Sequence, residues 1–84
     1  MKLKLTIISK DKIVYNGDAD AVFVPTQTGI IEVLPEHMQL ISALQKGEII
    51  VKSSDGEKIF KVTGGVLEVR QKSNVVILAD IEKE

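Results

Sequence analysis

An all-β fold, a sandwich or a barrel, is what this sequence predicts, and three observations predict it. Apolar and polar residues alternate along several short runs. Such runs recur at intervals of roughly ten residues, with turn-forming residues between them. No stretch sustains the 3.6-residue period of an amphipathic helix.

The elements follow in order. Leu3, Leu5 and Ile7 fall on one face of a strand, with Lys2, Lys4 and Thr6 on the other. Ile13-Val14-Tyr15 is followed by Asn16-Gly17, a dipeptide that predicts a tight turn. Ala21 to Val24 is β-rich and is expected to stop at Pro25, which has no N–H for a central ladder. Ile30 to Leu34 is a further β-branched run, opened by Gly29 and closed by Pro35. Pro35-Glu36-His37-Met38 fits one helical turn, since proline suits the first helical position, and Gln39 to Leu44 fits a strand or a short helix. After Gly47, the runs Glu48 to Lys52 and Lys58 to Val62 flank Ser53 to Glu57, a hairpin tip containing Asp-Gly. Gly64-Gly65 then marks a corner or bulge, and a polar turn, Gln71 to Asn74, joins Val66–Val69 to Val75–Ala79.

The totals describe a single small domain spanning residues 1–84, one that buries only about 60% of its unfolded surface. A composition of 44% apolar and 27% charged residues is that of a folded, soluble chain. Eleven basic against twelve acidic residues leave a net charge of −1, so no broad attraction to nucleic acid or anionic lipid exists. The absence of cysteine excludes disulfides and thiolate metal sites. MKLKLTIISK lacks the apolar core of a signal peptide. Val75 to Ala79, the longest apolar run, is far short of the ~20 residues of a membrane helix, so no direct membrane insertion is expected. There is no linker, repeat or low-complexity segment.

Candidate chemistry is sparse. His37 is the chain's single histidine, without a cysteine or second histidine to share a metal, and its nearest acid, Glu36, adjoins it in sequence. A structural or interfacial role is expected for it. Asp18 and Asp20 fall on one face of an extended segment, but no glutamate at calcium-loop spacing and no phosphate loop accompanies them. Asp11-Lys12-Ile13 is similar to the lysine tip of lipoyl-type carrier domains, yet that lysine belongs on a mid-chain hairpin. Three aromatics (Tyr15, Phe23 and Phe60) and balanced charge are poor material for single-strand nucleic-acid binding. No catalytic, cofactor or metal residues are assigned. The residues alone describe a small β domain that binds another protein.

The punctuation of the chain carries a resemblance. Tyr15-Asn16-Gly17 comes first, then Gly29 with an apolar run into Leu34-Pro35-x-His37. Leu40 to Leu44 and Lys46-Gly47 follow, then Gly64-Gly65-Val66-Leu67-Glu68-Val69 and Asn74 to Asp80. Over essentially its whole length the chain resembles the N-terminal β-sandwich of the epsilon subunit of F-type ATP synthases (delta in mitochondria). The resemblance implies a flattened ten-stranded β-sandwich in the central stalk. It implies a non-catalytic rotor subunit at the cytoplasmic face of the bacterial plasma membrane, coupling proton flow to ATP synthesis. Its partners would be the gamma subunit and the polar loops of the c-ring. The implied c-ring contact is Thr26, Gln27, Thr28, Gly29, Ile30 and Ile31. The implied gamma-facing positions are Ser9, His37, Met38, Leu40, Ser42, Thr63, Glu68 and Val76.

Three departures stand out. Glu36 and Gln39 replace the glycine and second proline of the family's Pro-Gly-His-x-Pro, which leaves the loop geometry around His37 open. Ile30 stands where relatives commonly carry a polar or acidic residue. Family members usually continue into a helical hairpin that restrains ATP hydrolysis and in some binds ATP; the sequence ends at Glu84, so a short form without that arm is expected. The rival readings are a lipoyl-type carrier modified at Lys12 and an adaptor sandwich unrelated to rotary enzymes.

Overall fold

Eight strands and no helix make up residues 2–82, the part that the computed structural model describes. They are β1 (Leu3–Ser9), β2 (Lys12–Ala19), β3 (Ala21–Thr26), β4 (Gly29–Val33), β5 (Leu40–Leu44), β6 (Gly47–Ser53), β7 (Gly56–Val69) and β8 (Asn74–Ile81). Hydrogen bonding orders one layer as β2-β1-β8-β7-β5 and the other as β7-β6-β3-β4. β7 belongs to both. Its first half, Gly56–Val62, pairs with β6, and its second half pairs with β5 and β8. The layers touch again where Thr26 pairs with Leu44. β1 and β8 run parallel, Lys4–Ile8 beside Asn74–Leu78, so segments far apart in sequence form the middle of the first layer.

Period-two patterning sets the burial. Leu3, Leu5 and Ile7 are fully buried, as are Val75, Ile77 and Leu67 from the neighbouring strands. They join Val22, Val24, Val33, Ile49, Val51 and Val62 in one cluster. Tyr15 and Phe60 close its margin edge to face, their ring centroids 6.3 Å apart.

Eight strands form where the resemblance implies ten, and the unbroken bend of β7 accounts for one of the two. The pairing with β8 shifts register between Val62 and Gly64, so the strand turns from one layer into the other without breaking. Gly65 has φ 149 there, and a Cβ on it would stand 2.1 Å from the Leu78 carbonyl oxygen. Only glycine fits.

Three local expectations change in the structure, and one left open is decided. Asn16-Gly17 forms no turn; it lies inside β2, paired with Thr6 and Leu5. The turn precedes it, at Lys10 and Asp11, which take φ 50 and 66 in a two-residue hairpin without glycine. β3 does not stop at Pro25 but runs on to Thr26. The ladder to β6 has ended at Phe23 by then, and the Pro25 carbonyl accepts from the Gln45 amide at 3.0 Å. Pro35 to Met38 is no helical turn. The His37 amide donates to the Leu34 carbonyl at 3.1 Å, with Pro35 second in the turn and Glu36 third at φ 65. That is the type II pattern, whose third position favours glycine. Gln39–Leu44 resolves as β5, a strand from Leu40.

Candidate functional site

The first candidate, His37, has no acid or metal ligand set around it. Its Nδ1 lies 2.8 Å from the Met38 carbonyl oxygen, which can only accept, so Nδ1 is the donor. Among the described residues no group of three or more His, Cys, Asp or Glu is placed to hold a metal ion. Asp20 pairs with Lys2 at 3.5 Å, and the Asp18 carbonyl accepts from the Tyr15 hydroxyl at 3.0 Å. Lys12 opens β2 directly after the β1–β2 turn.

Surface character is more informative. A sheet with one face in water alternates apolar and polar residues, but the outer face of the first layer departs from that rule. Register places Ile13 beside Ile8, Ile8 beside Leu78, Leu78 beside Val66, and Val66 beside Ala43. This is an apolar row across five strands. Ile13, Leu78 and Val66 are 62%, 51% and 40% exposed. The bulge in the β1–β2 pairing adds to it by leaving Val14 exposed as well. The parallel row, Asn16–Thr6–Val76–Glu68–Ile41, is mixed, and Ile41 at its end is exposed. Arg70 borders this row through a 2.9 Å hydrogen bond to Glu68, which holds the guanidinium above its ordinary pKa. Contiguous exposed apolar surface of this kind marks an interaction site.

The outer face of the second layer differs. Its row Phe23–Ile50–Ile59 is roofed at one end by Lys52, whose Nζ lies 5.0 Å from the Phe23 ring centre and pairs with Glu57 at 3.5 Å. Lys52 thus shields the Phe23 end of this row, while Ile59 at its other end is 54% exposed.

The β3–β4 hairpin is a second candidate surface. Gln27, Thr28, Gly29 and Ile30 are exposed at its tip, Ile30 being 74% exposed. Thr26 and Ile31, at the margins of the same segment, face inward. Thr26 is fully buried and donates its hydroxyl to the Gly29 carbonyl at 2.5 Å, while Ile31 packs against the core.

The positions implied to face gamma do not share one surface. Glu68 and Val76 are register partners on the outer face. Ser42 pairs with Leu67 and shares its inward side, and Leu40 packs against the core. Ser9 is buried, its Oγ accepting from the Ile81 amide at 3.4 Å. Thr63 sits at the β7 bulge, 3.5 Å from the Asp80 carbonyl, and His37 and Met38 lie on the β4–β5 loop, Met38 exposed. Reading the sequence missed Ile8, Ile13, Ile41, Val66 and Leu78. A signal for two of them was present: Ile7-Ile8 and Val75–Ala79 are unbroken apolar runs, and a strand wet on one face alternates.

The family described as ATP synthase, Delta/Epsilon chain, beta-sandwich domain matches residues 2–83. An ATP synthase epsilon chain of Endomicrobium trichonymphae is 40% identical over 79 residues, covering 94% of this chain and 56% of the relative. One from Dehalococcoides mccartyi is 42% identical over 79 residues, with the same coverage of 94% and 56%. The chain thus spans little more than half the length of these curated relatives. Among solved structures, a chain of the Euglena gracilis mitochondrial ATP synthase (OSCP, F1 and c-ring) has the same fold with a TM-score of 0.87 at 22% identity, over 93% of this chain and 50% of that one. A chain of the Tetrahymena thermophila central stalk and c-ring follows at TM-score 0.81 and 16% identity, over 95% of this chain and 64% of that one.

Proposed function

The chain belongs to the delta/epsilon β-sandwich family of ATP synthases, and on that premise we propose that it serves as a non-catalytic rotor module, joining gamma to the c-ring and carrying torque without breaking a bond. The observation that carries the reading is the apolar row Ile13–Ile8–Leu78–Val66–Ala43, left open on a domain whose core is already closed without it. Gamma is assigned to this face together with the β4–β5 loop that bears His37 and Met38, and the polar loops of the c-ring to the tip Gln27–Ile30. Complete cover of a Leu, Ile or Val side chain contributes about 1.5–3 kcal/mol, so a few such residues sustain a firm contact. Among the described residues no helix is long and apolar enough to cross a membrane. The family suggests a peripheral position, at the cytoplasmic face of the bacterial plasma membrane, reached through partners. Family membership replaces the carrier and the unrelated adaptor as readings.

The test is Leu78→Asp, which puts a charge in the middle of the row. The variant is expected to melt close to the parent, because Leu78 is half in water, and to lose at least about 3 kcal/mol of gamma affinity through an unpaired buried charge. Unchanged gamma binding by a folded Leu78→Asp chain would remove gamma from this face.

A further inference from the structure

The loop between β4 and β5, Leu34 to Gln39, bears His37 and the exposed Met38. Its internal bonds are local: the His37 amide reaches Leu34, and the His37 ring reaches the next carbonyl. Among the described residues, one hydrogen bond ties this loop to the rest of the fold. The Glu36 amide donates to the Ser73 hydroxyl at 2.9 Å, across 37 residues of chain.

Ser73 itself is held firmly. It lies in the two-residue turn between β7 and β8, with Lys72 and Ser73 at φ 61 and 58. The Asn74 amide closes that turn onto the Gln71 carbonyl at 3.3 Å. The Ser73 carbonyl in turn accepts from the Lys4 amide of β1 at 2.9 Å. Its backbone is therefore fixed to the sheet while its side chain faces the loop. On the loop side, the bond lands on Glu36, a residue whose φ of 65 is unfavourable for any side chain. Such a conformation persists where the surroundings impose it.

We propose that Ser73 is a positioning residue for the docking loop: by accepting from the Glu36 amide, its hydroxyl holds Leu34–Gln39 in the one conformation that presents His37 and Met38 to gamma. This rests on the rotor reading above. It adds that the β7–β8 turn, legible in the sequence only as a polar connection, controls the shape of an interface loop from outside it.

Ser73→Ala removes the hydroxyl and keeps the backbone strain; Ser73→Gly removes the hydroxyl and relieves it. Amide exchange is followed by NMR on the full chain, and gamma affinity is measured alongside. Both variants are expected to raise exchange at Glu36 roughly tenfold, the loss of one hydrogen bond, and to weaken gamma binding several-fold, while Ser73→Gly melts no lower than the parent. Ser73→Asn, which offers a side-chain carbonyl and tolerates positive φ, is expected to restore part of both. Unchanged Glu36 exchange in Ser73→Gly would overturn the clasp. Faster exchange with unchanged gamma affinity would overturn the positioning role. If the parent chain binds no gamma, the rotor reading fails instead, and the positioning role with it.

Discussion

Gly65 and Gly56 both hold a positive φ, and the space around them sets different costs for the same substitution. At Gly65 an added methyl meets the Leu78 carbonyl and the Ala79 Cα, both backbone, while at Gly56 nothing lies within 4 Å. Gly65→Ala combines strain with a clash that no rotamer relieves, and should cost about 3 kcal/mol or more. Gly56→Ala carries strain alone, about 1 kcal/mol. Urea titrations of both variants check the order; equal midpoints would contradict it. Glu36 is the converse case, a side chain at φ 65 in the third position of a type II turn, which favours glycine. Glu36→Gly should therefore raise stability by up to ~1 kcal/mol, since the relief of left-handed strain is partly offset by the greater freedom of the unfolded chain. A lower melting temperature for Glu36→Gly would show that the carboxylate side chain contributes more than its backbone costs.

At the scale of elements, the β3–β4 hairpin separates buried scaffold from exposed tip within six residues. Thr26 closes the hairpin from inside, its buried hydroxyl bonded to Gly29, and Ile30 points into solvent. Substitutions at the two positions should thus read out differently. Thr26→Val leaves the Gly29 carbonyl without its donor and should lower stability by about 1–2 kcal/mol. Ile30→Asp should leave the free domain within about 0.5 kcal/mol of the parent. In the assembled enzyme the same Ile30→Asp should loosen the c-ring contact, because an unpaired charge in an interface costs on the order of 3 kcal/mol. Thermal melts of the free chains, paired with retention of the catalytic head on c-ring membranes, distinguish the two effects. Unfolding of Ile30→Asp, or full retention of the head, would each count against the tip as a ring contact.

At the scale of the molecule, the first layer joins the chain's distant segments. β8 lies between β1 and β7, and its parallel pairing with β1 spans about seventy residues of sequence. β1 can pair with β2 early, but the middle of the layer closes only when β8 arrives, so one cooperative unfolding transition is expected. The same layer leaves its apolar row uncovered. The free chain should bind a hydrophobic dye more strongly than an ordinary monomer of its size, and replacing Ile13 and Leu78 together by asparagine should abolish the excess. An identical dye signal from parent and double variant would place the sticky surface elsewhere.

By itself the sequence determined the class of fold, most of the strands, the hairpin with its tip in Ser53–Glu57 and the family, because each depends on neighbours along the chain. Period two needs only successive residues. Turn chemistry needs only a short window, and the family's glycines recur in order. Where the local signal erred, a longer contact had overruled it: Asn16-Gly17 stays extended because β1 pairs with both residues, and Pro25 stays in β3 because no ladder needs its donor there. The candidate face belongs to tertiary structure alone. Ile13, Ile8, Leu78, Val66 and Ala43 come from five strands, and they form a row only through four separate registers. A shift of one residue in any of these pairings would turn a strand's outward side chains into the core, so no local window of sequence contains the surface.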